Sequence, residues 1–255
     1  QPEELGPAVG RVGFKVERFE NPAPAGGPLL LAERIEDPNL PTVLGYGHGD
    51  VIRGLADQWR TGLSPWELTQ EGNRYYGRGS ADNKAQHSIN MAALATVIAE
   101  RGMLGFNAKF LIETGEEVGS PGLQEFCTRE KARLKADVLI ASDGPRLSAH
   151  RPTIYLGSRG AVNMDFTVDL RAGAHHSGNW GGLLANPGVL LAHALASIVT
   201  REGKVLVPEI LPSSIPDSVR QALADCAVEP GPDEPAVDDW WGEPGVSRAE
   251  KVYGW

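Results

Sequence analysis

At 255 residues, 41% hydrophobic and 22% charged, the chain can bury one large core, or a core domain with a smaller companion. A formal charge of −9 without any basic stripe excludes nucleic acid and anionic membrane surfaces as main partners, and favours a small-molecule substrate. Two cysteines, Cys127 and Cys226, neither in a Cys-x-x-Cys pair, exclude a disulfide framework or a zinc ribbon and imply a reducing, cytoplasmic setting.

In chain order, the alternating run from Phe14 to Phe19, the Asn21 to Gly27 turn segment and the apolar Leu29-Leu30-Leu31 predict a hairpin. The pattern then becomes strand, helix, strand, helix, strand. Thr42 to Tyr46 is a short buried strand. Asn83 to Glu100 carries Ile89, Ala93 and Val97 at helical spacing and closes at Gly102, a helix-stopping residue. Lys109 to Ile112 is a second strand. Ser120-Pro121 supplies an N-cap and a first helical position for a helix to about Leu134, and Asp137 to Ala141 is a third strand. This α/β alternation predicts a mixed, mostly parallel sheet with helices on both faces.

Near residue 150 the character changes, and a domain boundary is placed there, giving units 1–150 and 151–255. The alternating run from Ile154 to Leu170 suits an antiparallel strand with one buried face. Within it, Gly157-Ser158-Arg159-Gly160 lacks the Lys-Ser/Thr of a phosphate loop and is read as a bulge. Asn186-Pro187 opens an apolar helix to about Thr200, so the second unit reads as α+β. Residues 208–244 are loop, with one helical piece from Ser218 to Cys226.

The three core strands end in polar clusters: Gly47-His48-Gly49-Asp50, Glu113-Thr114-Gly115-Glu116-Glu117 and Ser142-Asp143-Gly144. A fourth, Gly77 to Lys84, precedes the first helix. In an open parallel sheet the carboxyl ends of the strands share one edge, where ligands bind, so the clusters converge. Burying several carboxylates there requires counter-charge. Lys84, Arg78 and water could supply it; two divalent metals are the sharper answer, because one imidazole and several carboxylates are the donors that zinc, cobalt or manganese take. Spacing does not decide which of Glu116 and Glu117 is a ligand and which a base, since neighbours on an extended chain point opposite ways.

In this order, His-x-Asp after a strand, Gly-Arg-Gly-x-x-Asp, Glu-Glu and a final acid resemble the pattern of the dinuclear-zinc metallopeptidases, the family of carnosinase, aminoacylase, succinyl-diaminopimelate desuccinylase and the glutamate carboxypeptidases. The resemblance spans residues 43 to 143. It implies a zinc-peptidase-like catalytic domain with an inserted α+β lid and dimerisation domain. It also implies two divalent metal ions, zinc first and cobalt or manganese next. His48 and Asp143 are then ligands of one metal and Glu117 of the other, with Asp82 as the bridge and a cis bond from Asp82 to Asn83. Asp50 orients His48. Glu116 is the general base for a water that attacks the amide of a dipeptide or an N-acyl or N-carbamoyl amino acid.

The segment His175-His176-Ser177-Gly178 resembles the family's lid histidine, which implies a homodimer in which His176 donates to the oxyanion of its partner's site. His193, in the apolar helix, is read as a core or groove residue, and His87 and His150 as structural. The resemblance calls for one further imidazole near the end of the catalytic domain, so the native protein is expected to continue past Trp255. The competing readings are a non-catalytic metal-binding homologue that serves as a dimerisation module, and a dinuclear phosphoesterase.

Overall fold

The computed structural model describes residues 7, 9–144, 152–155, 157, 163–211, 214–228, 230 and 235–253. The chain divides into two compact units, Gln1–Pro145 and Arg146–Trp255. The boundary segment, His150 and residues 158–160 lie outside the described residues.

In the first unit a five-stranded sheet has the order β1-β2-β6-β3-β7, formed by β1 (Lys15–Phe19), β2 (Leu29–Arg34), β3 (Thr42–His48), β6 (Asn107–Glu113) and β7 (Val138–Ala141). β1 and β2 form the expected antiparallel hairpin, and β2 is antiparallel to β6. β6 and β7 flank β3 in parallel, with His48 opposite Glu113 and Tyr46 opposite Ala141. Those registers bring three strand ends to one edge. Two short strands, β4 (Thr69–Glu71) and β5 (Arg74–Tyr76), make a separate hairpin that periodicity missed.

Alternate residues along the strands build one core on each face, as the period of two requires. On one face Phe14, Ala32, Ala108 and Phe110 pack with Met91, Leu94, Val97 and Ile98 of helix α1 (Lys84–Arg101). On the other, Leu29, Leu44 and Leu111 pack with Leu123 and Phe126 of α2 (Leu123–Arg129) and Leu134 of α3 (Lys131–Leu134). α1 stops at Gly102, whose left-handed φ of 74° a side chain would resist.

The helix expected from Ser120 is corrected. Ser120 has φ 51° and its hydroxyl donates to Glu113 instead of capping, so the helix starts only at Leu123 after a left-handed Gly122 and is split into α2 and α3.

In the second unit α4 is Ser177–Trp180, α5 Pro187–Ile198, α6 Asp217–Ala224 and α7 Arg248–Tyr253. Asn186 caps α5 by accepting from Gly188 and Val189 N–H, with Pro187 in the first turn, as the Asn-Pro pair predicts. α5 ends at Val199, which leaves the helix to bridge Val205. Arg248 forks onto Asp239 at 2.8 and 2.7 Å, and Arg220 pairs with Glu250 at 3.2 Å between α6 and α7. The strand expected from Ile154 to Leu170 is absent among the described residues, where 152–155, 157 and 163–170 are irregular. Alternation marks a chain that can be a strand, but a strand also needs a partner ladder for its N–H and C=O groups, and no described segment supplies one. His193 is also corrected: it is exposed, on a helix with no buried residue.

Candidate metal centre

His48 is the last residue of β3 and is fully buried, with 0% of its side chain exposed. The glycine before it makes this possible. A methyl group on Gly47 would sit 2.8 Å from Asn83 Oδ1 and 3.2 Å from His87 Nδ1, so only glycine lets the start of α1 approach β3 here. The His48 Nε2 atom faces Asp82 Oδ1 at 2.9 Å, Asp143 Oδ1 at 3.6 Å and Glu116 Oε2 at 3.7 Å. On the ring's other side, Asp50 Oδ1 lies 3.3 Å from Nδ1.

Two overlapping sets of three donors result, His48 with Asp82 and Glu117, and His48 with Glu116 and Asp143, each with its ligand atoms within 4.8 Å of one another. The imidazole is at the closed end of the cluster, while the Asp82 side chain is 67% exposed and opens to solvent. Each set contains one glutamate of the pair. Geometry therefore does not divide the roles of base and ligand between Glu116 and Glu117.

Two of the carboxylates, Asp143 and Glu116, are under electrostatic strain. Burial pushes the Asp143 carboxyl up, and Asp82 adds to this against the opposing pull of His48 and Asn83. Burial likewise raises Glu116, with Asp143, Glu117 and Asp82 adding and His48 opposing. For His48, burial acts downward, but Asp143, Glu116, Asp50 and Asp82 outweigh it and hold the imidazole above its usual range. A nitrogen donor amid acids that resist ionisation fits a divalent cation, which would neutralise them and take this mixed N and O set.

Asp50 does more than face the imidazole. Its Oδ1 accepts from Glu116 N–H at 3.3 Å and its Oδ2 from Glu117 N–H at 3.1 Å, so one carboxylate sets both the ring and the turn carrying the glutamates. Beneath that turn lies Glu113, the fully buried end of β6. It accepts from the Tyr46 hydroxyl and from Ser120 Oγ at 2.9 Å. Burial, with Glu113, Glu116 and Asp143 nearby, raises the Tyr46 phenol far above its usual range, so it stays protonated and donates.

All six expected residues of the first unit, His48, Asp50, Asp82, Glu116, Glu117 and Asp143, therefore meet at one sheet edge, and the Asp82–Asn83 peptide bond is cis as the resemblance implied. His176 belongs to the second unit, where its Nδ1 accepts from Gly178 N–H at 3.1 Å as the cap of α4. Arg78 stacks over Trp59 at 5.7 Å. Sequence reasoning gave no site role to Tyr46, Glu113 or Ser120, and read Asn83 as a helix start and the partner of Asp82 in the cis bond. Asn83 is fully buried and does not cap α1.

Comparison with known proteins agrees with this geometry. The sequence pattern of peptidase family M20/M25/M40 matches residues 44–252. Beta-Ala-His dipeptidase of Mus musculus is 38% identical over 192 residues, covering 74% of this chain and 39% of that protein. Cysteinylglycine-S-conjugate dipeptidase of Corynebacterium striatum is 35% identical over 189 residues, covering 74% and 40%. Among solved structures, an M20 family metallo-carboxypeptidase from Sulfolobus solfataricus has a TM-score of 0.74 at 25% identity, covering 89% of this chain and 51% of that one. Human carnosine dipeptidase 1 has a TM-score of 0.67 at 30% identity, covering 89% and 50%. The chain thus spans 39–40% of the length of these curated relatives.

Proposed function

The chain belongs to peptidase family M20/M25/M40, and from that premise we propose that it hydrolyses the amide bond of a small substrate, a dipeptide first and an N-acyl or N-carbamoyl amino acid second. The observation that carries this reading is the meeting of His48 with Asp82, Glu117, Glu116 and Asp143 in two overlapping donor sets at parallel strand ends. Two curated relatives are named as dipeptidases, which supports the order of substrates.

In this reading residues 1–150 carry the catalytic machinery and 151–255 form a lid and dimerisation domain. His48, Asp82, Glu117 and Asp143 would hold two divalent metal ions, zinc first and cobalt or manganese next. When bound, such ions supply Lewis acidity and bring water's ionisation toward neutral pH. Glu116, whose carboxyl burial already raises, takes the proton of the attacking water and returns it to the leaving nitrogen. Asp50 fixes the imidazole's aim and keeps the Glu116–Glu117 turn in place.

For His176, the N–H of Gly178 on Nδ1 leaves Nε2 as the protonated nitrogen of the neutral ring, which suits donation to an oxyanion, in the partner's site of a homodimer. A side chain at Gly178 would meet that ring at 2.9 Å, so glycine keeps the cap open. The unpaired Cys127 and Cys226 support a reducing, cytoplasmic compartment. Among the described residues no helix is long and apolar enough to cross a membrane.

The test is a panel of dipeptides, N-acetyl amino acids and a phosphate ester, each with and without zinc, cobalt or manganese. Metal-dependent release of an amino acid supports the proposal. Metal binding without turnover of any member would favour a non-catalytic dimerisation module, and turnover of the ester alone a phosphoesterase.

A further inference from the structure

β3 and β7 are paired only as far as Tyr46 opposite Ala141, with one more long bond from Ser142 N–H to Tyr46 O at 3.4 Å. Beyond that the ladder stops, yet the next groups, His48 N–H and Ser142 C=O, are not left unmade. The Asn83 side chain stands between them. Its Oδ1 accepts from His48 N–H at 3.1 Å, and its Nδ2 donates to Ser142 O at 2.7 Å. The second Nδ2 proton goes to Asp143 Oδ1 at 2.6 Å, and His87 Nδ1 lies 3.3 Å from Oδ1. An amide offers two donors and a two-lone-pair acceptor, and here both N–H groups are used and the oxygen accepts from His48 N–H with the His87 ring beside it.

We propose that Asn83 is a positioning residue: its amide serves as an inserted rung that holds the ends of β3 and β7 apart and aims the Asp143 carboxylate toward His48. The partners fix the orientation of the amide. His48 N–H is a donor, and Ser142 O and Asp143 are acceptors, so only oxygen toward β3 and nitrogen toward β7 satisfies them. An aspartate here has the same shape but turns an oxygen onto Ser142 O and onto a second carboxylate. Asn83 could have capped α1, as asparagine commonly does, but its side chain makes no cap bond and is committed to this rung. Gly47 completes the device, because a side chain there would come within 2.8 Å of Oδ1 and push the amide aside.

The inference rests on the proposed metal centre for its zinc readout alone. Asn83→Ala and Asn83→Asp are made in the full chain and compared with wild type by zinc calorimetry and by hydrogen exchange of the His48 amide. Asn83→Ala is expected to lower zinc affinity about 10- to 100-fold, the usual loss for a partner that orients a ligand. It should also speed His48 exchange at least about tenfold, the loss of one closing hydrogen bond, while β1, β2 and α2 exchange as in wild type. Asn83→Asp is expected to keep the His48 amide protected, since an oxygen still accepts there, and to lose zinc affinity with the Asp143 contact. Wild-type zinc affinity and His48 protection in Asn83→Ala would overturn the proposal, and so would faster exchange spread evenly over the unit.

Where Asn83→Ala fails to fold, Asn83→Asp with Asp143→Asn exchanges donor and acceptor across the 2.6 Å contact. Asn83→Asp should melt higher when combined with Asp143→Asn than alone; an additive loss would mean that the two side chains are uncoupled and would overturn the proposal. A wild-type protein that binds no zinc would sink the metal reading and leave exchange and the double-mutant cycle to decide the role of Asn83.

Discussion

Replacing Asp50 by alanine isolates the residue that joins the imidazole to the glutamate turn. The substitution removes the acceptors of Glu116 N–H at 3.3 Å and Glu117 N–H at 3.1 Å, together with the carboxylate 3.3 Å from His48 Nδ1. Hydrogen bonds to a charged group contribute roughly 1.5–3 kcal/mol each. Both are long for N–H···O bonds, and the turn is half-buried, so water replaces part of what is lost. A total of about 1–3 kcal/mol follows, measured as the difference in urea unfolding of the metal-free protein. Asp50→Asn should fall between, because it keeps one acceptor and turns an NH2 group toward a backbone donor. Loosening both the ring and the turn should also weaken zinc binding about 10- to 100-fold. The reasoning is refuted if Asp50→Ala unfolds within about 0.5 kcal/mol of wild type, the ordinary surface value, or if its zinc affinity is unchanged.

Glu116→Gln is expected to retain its metal and to lose about 10²- to 10⁴-fold in turnover, since a base is removed and no ligand is; metal analysis beside kinetics checks this, and loss of metal would make Glu116 a ligand. His87, held down to about 4 by burial, His48 and Lys84, stays neutral in the fold while an unfolded histidine titrates near 6.5. The unfolded chain therefore binds the proton first as pH falls, and stability present above about pH 6.5 is lost toward pH 4, by about 2 kcal/mol at pH 5. Urea unfolding at pH 7 and 5 should show this slope diminished in His87→Gln, and parallel profiles would count against it. Tyr46→Phe leaves the buried Glu113 with the Ser120 hydroxyl as its side-chain donor among the described residues and should cost about 1–3 kcal/mol of stability; an unchanged unfolding curve would contradict the role given to that pair.

The site was legible because its residues end apolar runs that can only be strands, and parallel strand ends converge by topology. His48, Asp50, Glu116, Glu117 and Asp143 are read in this way and Asp82 in the cluster ahead of α1, and the family pattern added their individual roles. The hairpin β4–β5 was not legible, since three residues per strand give no measurable period, although Gly72-Asn73 is a turn signal. Ser120-Pro121 misled for a different reason: its local preference for a helix start lost to a long-range bond from Ser120 to Glu113. Asn83 shows the same competition, with a local capping preference overridden by partners 35, 59 and 60 residues away. The alternation from Ile154 to Leu170 records a capacity for burial, yet Ile154 is 85% exposed and the described part of the run has no ladder.

The central claim is that His48, Asp82, Glu117 and Asp143 form a metal centre at the ends of β3, β6 and β7. Diffraction from zinc-soaked crystals at the zinc absorption edge tests it most directly. The account predicts one anomalous peak bounded by His48, Asp82 and Asp143 and a second by Asp82 and Glu117, with the first lost in His48→Ala. Saturating zinc with no peak at this edge of the sheet, or a peak beside Asp143 that survives His48→Ala, would contradict it.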